Sequence, residues 1–428
     1  MFLGFLLIPC LQASASTTIT QITDNGGHDV NPQINANGYV TYEGVHGDCE
    51  IYLYNGANIT NITDNSDEDY GPSINDNGWL AWYGTGGSDG GTDNEIFLYN
   101  GMSTIQLTEN TYDDRAPRIN DSDYVTWCGT GGSDSGGDYE IFLYDGANTT
   151  QLTTNSNPDT APKINEDGWV VWQGTKGSDG GVDNEIFLYN GTTTIQLTEN
   201  TYTDDMHQIN ANGWVTWERL DGDWEIFLYN GTTTTQLTSN SYDDRYPQIN
   251  TDGWVTWSGK GGSDAGTDDE VFLYNGATTI QLTENNYDDT PFQINDNGYV
   301  VWQGSDGSDA EIFLYNGTAI TQVTHNSNND YAPHINNNGY VTWYGFDNFD
   351  MEIFLATPGV PEVEWTVSSQ NVAENVGSVT FTAELSAISS LNVTVPYTVS
   401  GTATGGGADH DLANGSVTIL AGQLTGTE

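Results

Sequence analysis

Carboxylates recur at fixed positions in this 428-residue chain. The string Glu-Ile-Phe-Leu-Tyr-Asn-Gly returns with small changes, and an Asp stands two residues before its Glu in all eight copies, at Asp48, Asp93, Asp138, Asp183, Asp223, Asp268, Asp309 and Asp350. Four copies add a Gly-Ser-Asp insertion shortly before it. Because Ca²⁺ takes six to eight oxygen ligands, these loops predict calcium sites at Asp89, Asp93, Asp134, Asp138, Asp179, Asp183, Asp264 and Asp268. The alternative is that Asp and Gly simply build turns, which the repetition favours for the Asp-x-Glu unit.

A second loop type reads Thr-x-Asn-x-Tyr-Asp-Asp, and its aromatic residues are candidates for ligand binding. The residues are Tyr112, Tyr242 and Tyr287. A ring of Tyr and Asp side chains suits sugars or peptides, whereas the competing interpretation is that these rings pack between repeats.

Residues for catalysis are harder to find. The chain has neither an HExxH nor a GxSxG motif, and acid pairs such as Asp113/Asp114 repeat, whereas a glycosidase pair should break the repeat. The sequence therefore predicts a protein that is not an enzyme. Arg118, Lys163 and His334 occupy equivalent positions in three repeats, and a polar channel lining is the simplest interpretation of them.

The repeat itself predicts the fold. The Glu of the repeated string falls at 50, 95, 140, 185, 225, 270, 311 and 352, a period of 40–45 residues. Each repeat contains four short β-rich segments separated by Asn-Gly or Asp-Gly turns, as in Ala161–Asn165, Trp169–Trp172, Glu185–Tyr189 and Thr192–Thr198. Such a period with four strands predicts an all-β, eight-bladed β-propeller over residues 17–356.

The two ends of the repeat region complement each other. The last copy, Glu352–Leu355, lacks a fourth strand, while residues 17–23 form an unmatched one. We therefore predict that the N-terminal strand closes the ring and leaves no exposed edge. Strand alternation places the short turns on one face and the long acidic loops on the other, which is the face where binding residues are expected.

The composition limits the possible partners. The chain has 60 Asp+Glu against 7 Lys+Arg and a formal net charge of −53, which excludes nucleic acid as a main partner and disfavours anionic membranes. No apolar run is long enough to span a bilayer. Residues 1–15 are apolar and end in Ala13-Ser14-Ala15, which predicts a cleaved signal peptide. Halophilic adaptation is another explanation of the charge.

The repeat resembles that of TolB-type propellers. Matching segments are Pro247–Gly253, with Asn in place of the family's Ser-Pro, together with Glu225–Leu228 and Gln236–Thr238. The resemblance covers the eight repeats and implies a propeller, but it leaves function open, because such folds serve as scaffolds, binding modules and occasional enzymes.

The pattern changes after a linker at 357–362. Residues 363–428 resemble a Calx-beta domain in the stretches Val372–Phe381, Val393–Tyr397 and Gly401–Asp409. This resemblance implies an incomplete β-sandwich with Glu374 and Asp409 as calcium ligands. The turn before Asp409 has one extra Gly, and we expect the family's remaining acidic ligands to lie beyond residue 428.

These observations combine into one expected function. We expect an exported scaffold that mediates calcium-dependent interaction or adhesion, secreted, on the cell surface or in the periplasm. Its partner would be an extracellular protein or a polysaccharide. The alternative is a propeller that binds or degrades glycans.

Overall fold

The computed structural model describes residues 3–4, 17–87, 90–132, 137–175, 182–260, 268–347, 349–358, 363–365, 371–372, 380, 382–385, 393–397, 415–420, 423 and 425–427. The chain divides into two compact units. One consists of Ile19–Ala356, and the other combines Met1–Thr18 with Thr357–Glu428. All regular elements in the described ranges are β-strands. No helix in these ranges has the length and apolar character needed to cross a bilayer.

Ile19–Ala356 is built from eight four-stranded antiparallel sheets, here called blades 1 to 8 in chain order. First strands are His28–Ile34, Asp69–Ile74, Asp114–Ile119, Asp159–Ile164, Thr203–Ile209, Asp244–Ile249, Thr290–Ile294 and Asp330–Ile335. Second strands are Val40–Val45, Leu80–Gly84, Val125–Gly129, Val170–Gly174, Val215–Asp221, Val255–Gly259, Val300–Ser305 and Val341–Asp347. Third strands are Cys49–Tyr54, Glu95–Tyr99, Glu140–Tyr144, Glu185–Tyr189, Asp223–Tyr229, Glu270–Tyr274, Ala310–Tyr315 and Asp350–Thr357. Fourth strands are Ile59–Asn61, Thr104–Gln106, Thr149–Gln151, Thr194–Gln196, Thr234–Gln236, Thr279–Gln281, Ile320–Gln322 and, for blade 8, Thr18–Gln21.

The N-terminal strand closes the ring as predicted. It forms the outer strand of blade 8 beside Asp350–Thr357. Beyond it, Ile22 N donates to Ile353 O at 2.7 Å, and Ile353 N donates to Thr23 Oγ1 at 2.8 Å. First strands of neighbouring blades contact each other all the way round, so they are innermost. The predicted eight-bladed propeller is therefore confirmed.

A ring of buried asparagines joins the blades on the short-turn face. The Nδ2 of each Asn donates to the backbone oxygen of its counterpart in the next blade, at 2.8–3.2 Å. The eight residues are Asn35, Asn75, Asn120, Asn165, Asn210, Asn250, Asn295 and Asn336. The bond from Asn336 to Asn35 completes the circle. Sequence reasoning placed this asparagine at the end of the first strand, as in Ala161–Asn165, and missed the ring.

The hydrophobic core lies between blades. Val171, Ile186 and Leu188 of blade 4 pack against Val215 and Trp217 of blade 5 in one buried cluster. Equivalent clusters join other neighbouring blades, for example blades 2 and 3. Each blade thus covers the apolar face of its neighbour, which makes blade-to-blade packing the main source of stability.

Fourth strands are shorter than predicted. In blade 4, the predicted Thr192–Thr198 is observed as Thr194–Gln196. The pairing ends because the side chain of Thr198 replaces a strand carbonyl, and its Oγ1 accepts the Ile186 N–H at 2.8 Å. The first strand is shifted the other way and begins at Asp159, two residues before its predicted start at Ala161.

A buried Asp begins the first strand in most blades and occupies space left by a glycine. In blade 3, Asp114 Oδ1 accepts the Trp127 Nε1–H at 3.1 Å, and a Cβ at Gly129 would lie 1.8 Å from the same oxygen. The glycine recurs at Gly44, Gly84, Gly174, Gly259, Gly304 and Gly345. In blade 5, Arg219 stands there instead and pairs with Asp204 at 2.7 Å. The glycine is therefore a packing requirement.

This requirement predicts a sharp difference between two glycines of blade 3. We expect Gly129→Ala to lower the unfolding free energy by about 2–3 kcal/mol, since the new methyl group displaces the buried Asp114 carboxylate. Gly137→Ala is the matched control, because its Cβ would meet nothing within 4 Å. Denaturant unfolding measures both variants. Equal effects would contradict the packing role of Gly129.

The other unit contains short strands at Leu3–Gly4, Val363–Trp365, Asn371–Val372, Thr382–Leu385, Val393–Tyr397, Gly415–Ile419 and Thr425–Thr427. They pair in two small sheets and a two-stranded contact between Leu3–Gly4 and Asn371–Val372. Ala383, Leu385, Val395, Val417 and Ile419 form its buried cluster. The predicted calcium ligands Glu374 and Asp409 lie outside the described residues.

Candidate functional site

The long loops meet on one face of the propeller. The loop joining second and third strands bonds to the loop that enters the next blade, as where Asp269 N donates to Asp288 Oδ1 at 2.9 Å. The same contact joins Trp224 N to Asp243 Oδ1 at 3.1 Å. This loop face is where those acidic and tyrosine candidates that the structure describes are found.

The described aspartates of the predicted calcium loops share one property. Asp93, Asp138, Asp183 and Asp268 each have a buried Oδ2 without a hydrogen-bond partner. They belong to four different blades, so the structure does not gather them into one centre. The companion residues Asp89, Asp134, Asp179 and Asp264 lie outside the described residues.

A three-carboxylate cluster lies in blade 7 instead. Ligand oxygens of Asp306, Asp309 and Glu311 are all within 4.8 Å of one another. A short loop brings them together: Ser308 N and Oγ donate to Asp306 Oδ1 at 3.0 and 2.7 Å, and Ser308 Oγ also donates to Asp309 Oδ1. Three convergent carboxylates with different degrees of exposure are suited to a hard divalent cation.

Glu311 is the buried member of this cluster. It is 0% exposed, and its Oε2 accepts the Thr324 hydroxyl while its Oε1 has no partner. Burial, together with the nearby carboxylates of Asp330, Asp309 and Asp306, raises the pKa of Glu311 to about 7. A cation beside Oε1 would offset both effects, since it favours the ionised form.

Blade 7 departs from six of its counterparts in the bonding of this glutamate. In six blades the equivalent glutamate Oε1 accepts a backbone N–H two residues beyond the threonine, as Glu270 does from Asn285 at 2.9 Å. Glu311 Oε1 has no hydrogen-bond partner. Sequence reasoning missed this site, because it interpreted Asp309 and Glu311 as one more turn unit. The available signal was a third acid, Asp306, in a loop that is shorter than the loops with the Gly-Ser-Asp insertion.

The predicted tyrosines are exposed but separate. Tyr112, Tyr242 and Tyr287 are 42–47% exposed, and each backbone N–H bonds to the Asn two residues earlier at 2.7 Å. The space around Gly131 is filled by the ring of Tyr112, which supports a packing role there. Tyr287 differs, since it lines a cleft between blades 6 and 7.

This cleft has a volume of about 410 Å³. Its walls include Asp268, Tyr287, Asp288 and Gln303, and it extends to Ala310 beside the blade 7 carboxylates. One aromatic ring among polar side chains is a composition that can stack on a sugar and bond to its hydroxyls. Among the predicted residues, the structure thus brings together Asp268 and Tyr287.

The axial residues occupy one register position of the first strands. Arg118 pairs with Thr126, Lys163 with Val171 and His334 with Thr342. The positive charge of Arg118 is the largest cause that lowers the pKa of Lys163 to about 7. Burial, followed by the charges of Arg118 and Lys163, lowers the pKa of His334 to about 4. These shifts show that the three groups share one electrostatic environment.

The fold can now be compared with known proteins. No family model and no curated protein matches the chain. Among solved structures, it is similar to Porphyromonas gingivalis dipeptidyl peptidase 4, with 11% identity, a TM-score of 0.53 and coverage of 83% of this chain and 64% of the other. The propeller domain of the Trilobed protease from Pyrococcus furiosus is similar with 12% identity and a TM-score of 0.48, and the match covers 68% of this chain and 93% of that domain. For TolB from Acinetobacter baumannii, the identity is 14% and the TM-score is 0.35, and the match covers 58% of this chain and 60% of TolB.

These likenesses describe the fold. The propeller part of the predicted resemblance is confirmed by the eight four-stranded blades of the structure, and a TolB protein is among the similar solved structures. The chain spans less than two thirds of the length of dipeptidyl peptidase 4 and of Pyrococcus horikoshii acylaminoacyl peptidase. None of the comparisons supports the Calx-beta resemblance, which stays a prediction.

One prediction is wrong. The sequence indicated a protein that is not an enzyme, but solved structures with a propeller of this kind include peptidases, among them dipeptidyl peptidase 4. The prediction used the lack of a catalytic motif in the repeats. That reasoning fails, because an enzyme that contains a propeller can carry its reacting groups elsewhere.

Proposed function

We propose that this chain is an exported binding scaffold whose loop face recognises an extracellular protein or polysaccharide with the help of Ca²⁺. The observation that carries the proposal is the blade 7 cluster, where a carboxylate oxygen of Glu311 lies within 4.8 Å of oxygens of Asp306 and Asp309 and Glu311 Oε1 is buried without a hydrogen-bond partner. An unpaired buried carboxylate oxygen costs folding free energy, and a divalent cation provides the charge that it lacks. Export is supported by the signal-peptide pattern at residues 1–15.

A polysaccharide is the partner class that the neighbouring cleft fits best. Tyr287 and Gln303 line this cleft, and Asp268 contributes one of the partnerless carboxylate oxygens. An ion in blade 7 would lie beside the cleft wall at Ala310, where it could order the loop and contact ligand oxygens. In the related Calx-beta prediction, Glu374 and Asp409 would supply a second calcium site in residues 363–428.

Calcium binding predicts a thermal shift that depends on blade 7. At Ca²⁺ about 100-fold above the dissociation constant, a site present only in the native state adds about 2.7 kcal/mol. For a unit of this size, that raises Tm by about 3–5 °C. We expect this rise over an EDTA sample, measured by calorimetry at low ionic strength, and expect Asp306→Asn and Glu311→Gln to abolish it.

The control is Asp145→Asn. Asp145 is an exposed carboxylate in a short turn, and other blades carry Asn at this position, such as Asn190 and Asn230. This variant should keep the full calcium response. A rise in molar NaCl without any response to Ca²⁺ would contradict calcium binding and favour halophilic adaptation, because monovalent salt acts by screening exposed charge.

Glycan recognition needs its own measurement. We expect retention on a polysaccharide array in the presence of Ca²⁺ and loss of retention in Tyr287→Ala. Tyr112→Ala is the matched comparison, since Tyr112 is similarly exposed but lies in the loop that enters blade 3, away from the cleft between blades 6 and 7. Equal loss of retention in both variants, or unchanged retention in both, would contradict the cleft as the binding site.

A further inference from the structure

The innermost strands present a ring of eight side chains at one register position. They are Gln33, Ser73, Arg118, Lys163, Gln208, Gln248, Gln293 and His334. First strands surround the axis, so these positions line the channel of the propeller. Ser73 is buried, and the other seven are half-buried, as expected of side chains around a narrow channel. The ring contains no carboxylate, although the protein has 60 acidic residues.

The two cations of this ring differ from the other Lys and Arg residues that the structure describes. Arg115, Arg219, Arg245 and Lys260 each form an ion pair with an Asp or Glu. Arg118 and Lys163 form none with any carboxylate of the described residues. Arg118 Nη1 donates to its neighbour's carbonyl, Pro117 O, at 2.9 Å. In so acidic a protein, two neighbouring cations without an acid are an arrangement that requires another source of negative charge.

Both cations are adjacent in the ring. They belong to blades 3 and 4, and His334 of blade 8 is opposite blade 4 in an eight-membered ring. The charge of Arg118, followed by burial, lowers the pKa of Lys163 to about 7, in the direction expected of two like charges placed close together. An anion between them would relieve this repulsion and accept hydrogen bonds from both.

We propose that Arg118 and Lys163, with His334 across the channel, form a binding site for a small oxyanion such as phosphate or sulfate. The guanidinium of Arg118 supplies a planar pair of N–H donors, which fits two oxygens of one anion, and Lys163 supplies a second charge from the next blade. The surrounding glutamines, such as Gln208 and Gln248, add uncharged donors. The anion is either a free inorganic ion or the charged group of a small molecule such as a sugar phosphate.

The experiment compares the full chain with channel variants that are expected to fold. Four blades carry Gln at the same register position, so the double variant Arg118→Gln/Lys163→Gln repeats a side chain that the ring already accommodates. Titration calorimetry in EDTA at constant ionic strength, with chloride as the replaced ion, would use inorganic phosphate in one arm and glucose 6-phosphate in the other.

We expect saturable one-site binding in the native chain and a loss of at least about tenfold in affinity in the double variant, since charge-assisted bonds from two residues disappear. Arg115→Gln is the matched control, because Arg115 is an exposed arginine of the same strand that pairs with Asp113, and it should bind as the native chain does. Tighter binding of glucose 6-phosphate than of phosphate would indicate a small-molecule ligand. No binding in either arm, or equal binding by the double variant, would overturn the proposal.

Discussion

Asn336→Ala is expected to destabilise the propeller by about 3–5 kcal/mol. The side chain makes three hydrogen bonds: Nδ2 donates to Asn35 O at 2.9 Å, and Oδ1 accepts the N–H groups of Asn338 and Tyr340 at 3.0 and 2.9 Å. Alanine leaves these buried or half-buried groups without that partner, at about 1–3 kcal/mol for each group that stays unsatisfied. The affected contact joins blade 8 to blade 1, where the ring closes. Denaturant unfolding measures the loss.

The matched control is Asn230→Ala. Asn230 Oδ1 also accepts two backbone N–H groups, from Thr232 and Thr233 at 3.1 and 2.9 Å, but it is exposed and makes no bond to another blade. Water can replace its side chain, so we expect a loss below about 1 kcal/mol. Asn210→Ala then tests whether every asparagine of the ring contributes a similar unfolding free energy or whether the loss is confined to the contact between blades 8 and 1. Similar losses in Asn230→Ala and Asn336→Ala would contradict a special role of the ring.

The thermal stability of the propeller should rise as the pH falls from 8 to about 5. Burial is the largest cause that raises the pKa of the first-strand aspartates: to about 6 for Asp69 and Asp159, and to about 7 for Asp114, Asp244 and Asp289. Bonds from asparagine and tryptophan side chains oppose this effect. Each of these carboxylates is 2–3% exposed.

The sign follows from proton binding. Between about pH 4 and pH 7, the folded state holds protons on these aspartates that the unfolded chain has released, so stability falls as pH rises through the folded pKa values. One pKa unit corresponds to about 1.4 kcal/mol. The folded pKa values lie one to two units above pH 5. Counting one unit for each of the five residues gives about 7 kcal/mol between pH 8 and pH 5, and we therefore expect Tm to be about 10 °C higher at pH 5 than at pH 8.

Surface repulsion in a chain of net charge −53 acts in the same direction. Calorimetry in EDTA with 1 M NaCl separates the two causes, because molar salt shortens the screening length to about 3 Å and suppresses the repulsion between exposed charges. The buried aspartates are screened much less and should preserve the slope. A Tm that is constant between pH 5 and pH 8 in 1 M NaCl would contradict their role.

The sequence by itself determined the repeat, the number of blades and the closure by the N-terminal strand. These features depend on local signals: alternating β-formers in Glu185–Tyr189, Asn-Gly turns, and a strand that is missing at one end and present at the other. Each signal lies within a few residues of the element that it specifies. Their repetition eight times made the interpretation secure.

Only the tertiary structure decided which polar residues meet. The asparagine ring, the pairing of Asp114 with Trp127 and Gly129, and the channel position of Arg118 beside Lys163 join residues 13–301 positions apart. The blade 7 cluster depends on a loop that turns Asp306 towards Glu311. A repeated Asp or Asn looks the same in every copy of the sequence. Its burial, and the partner it finds or lacks, follow from the packing of each blade against the next.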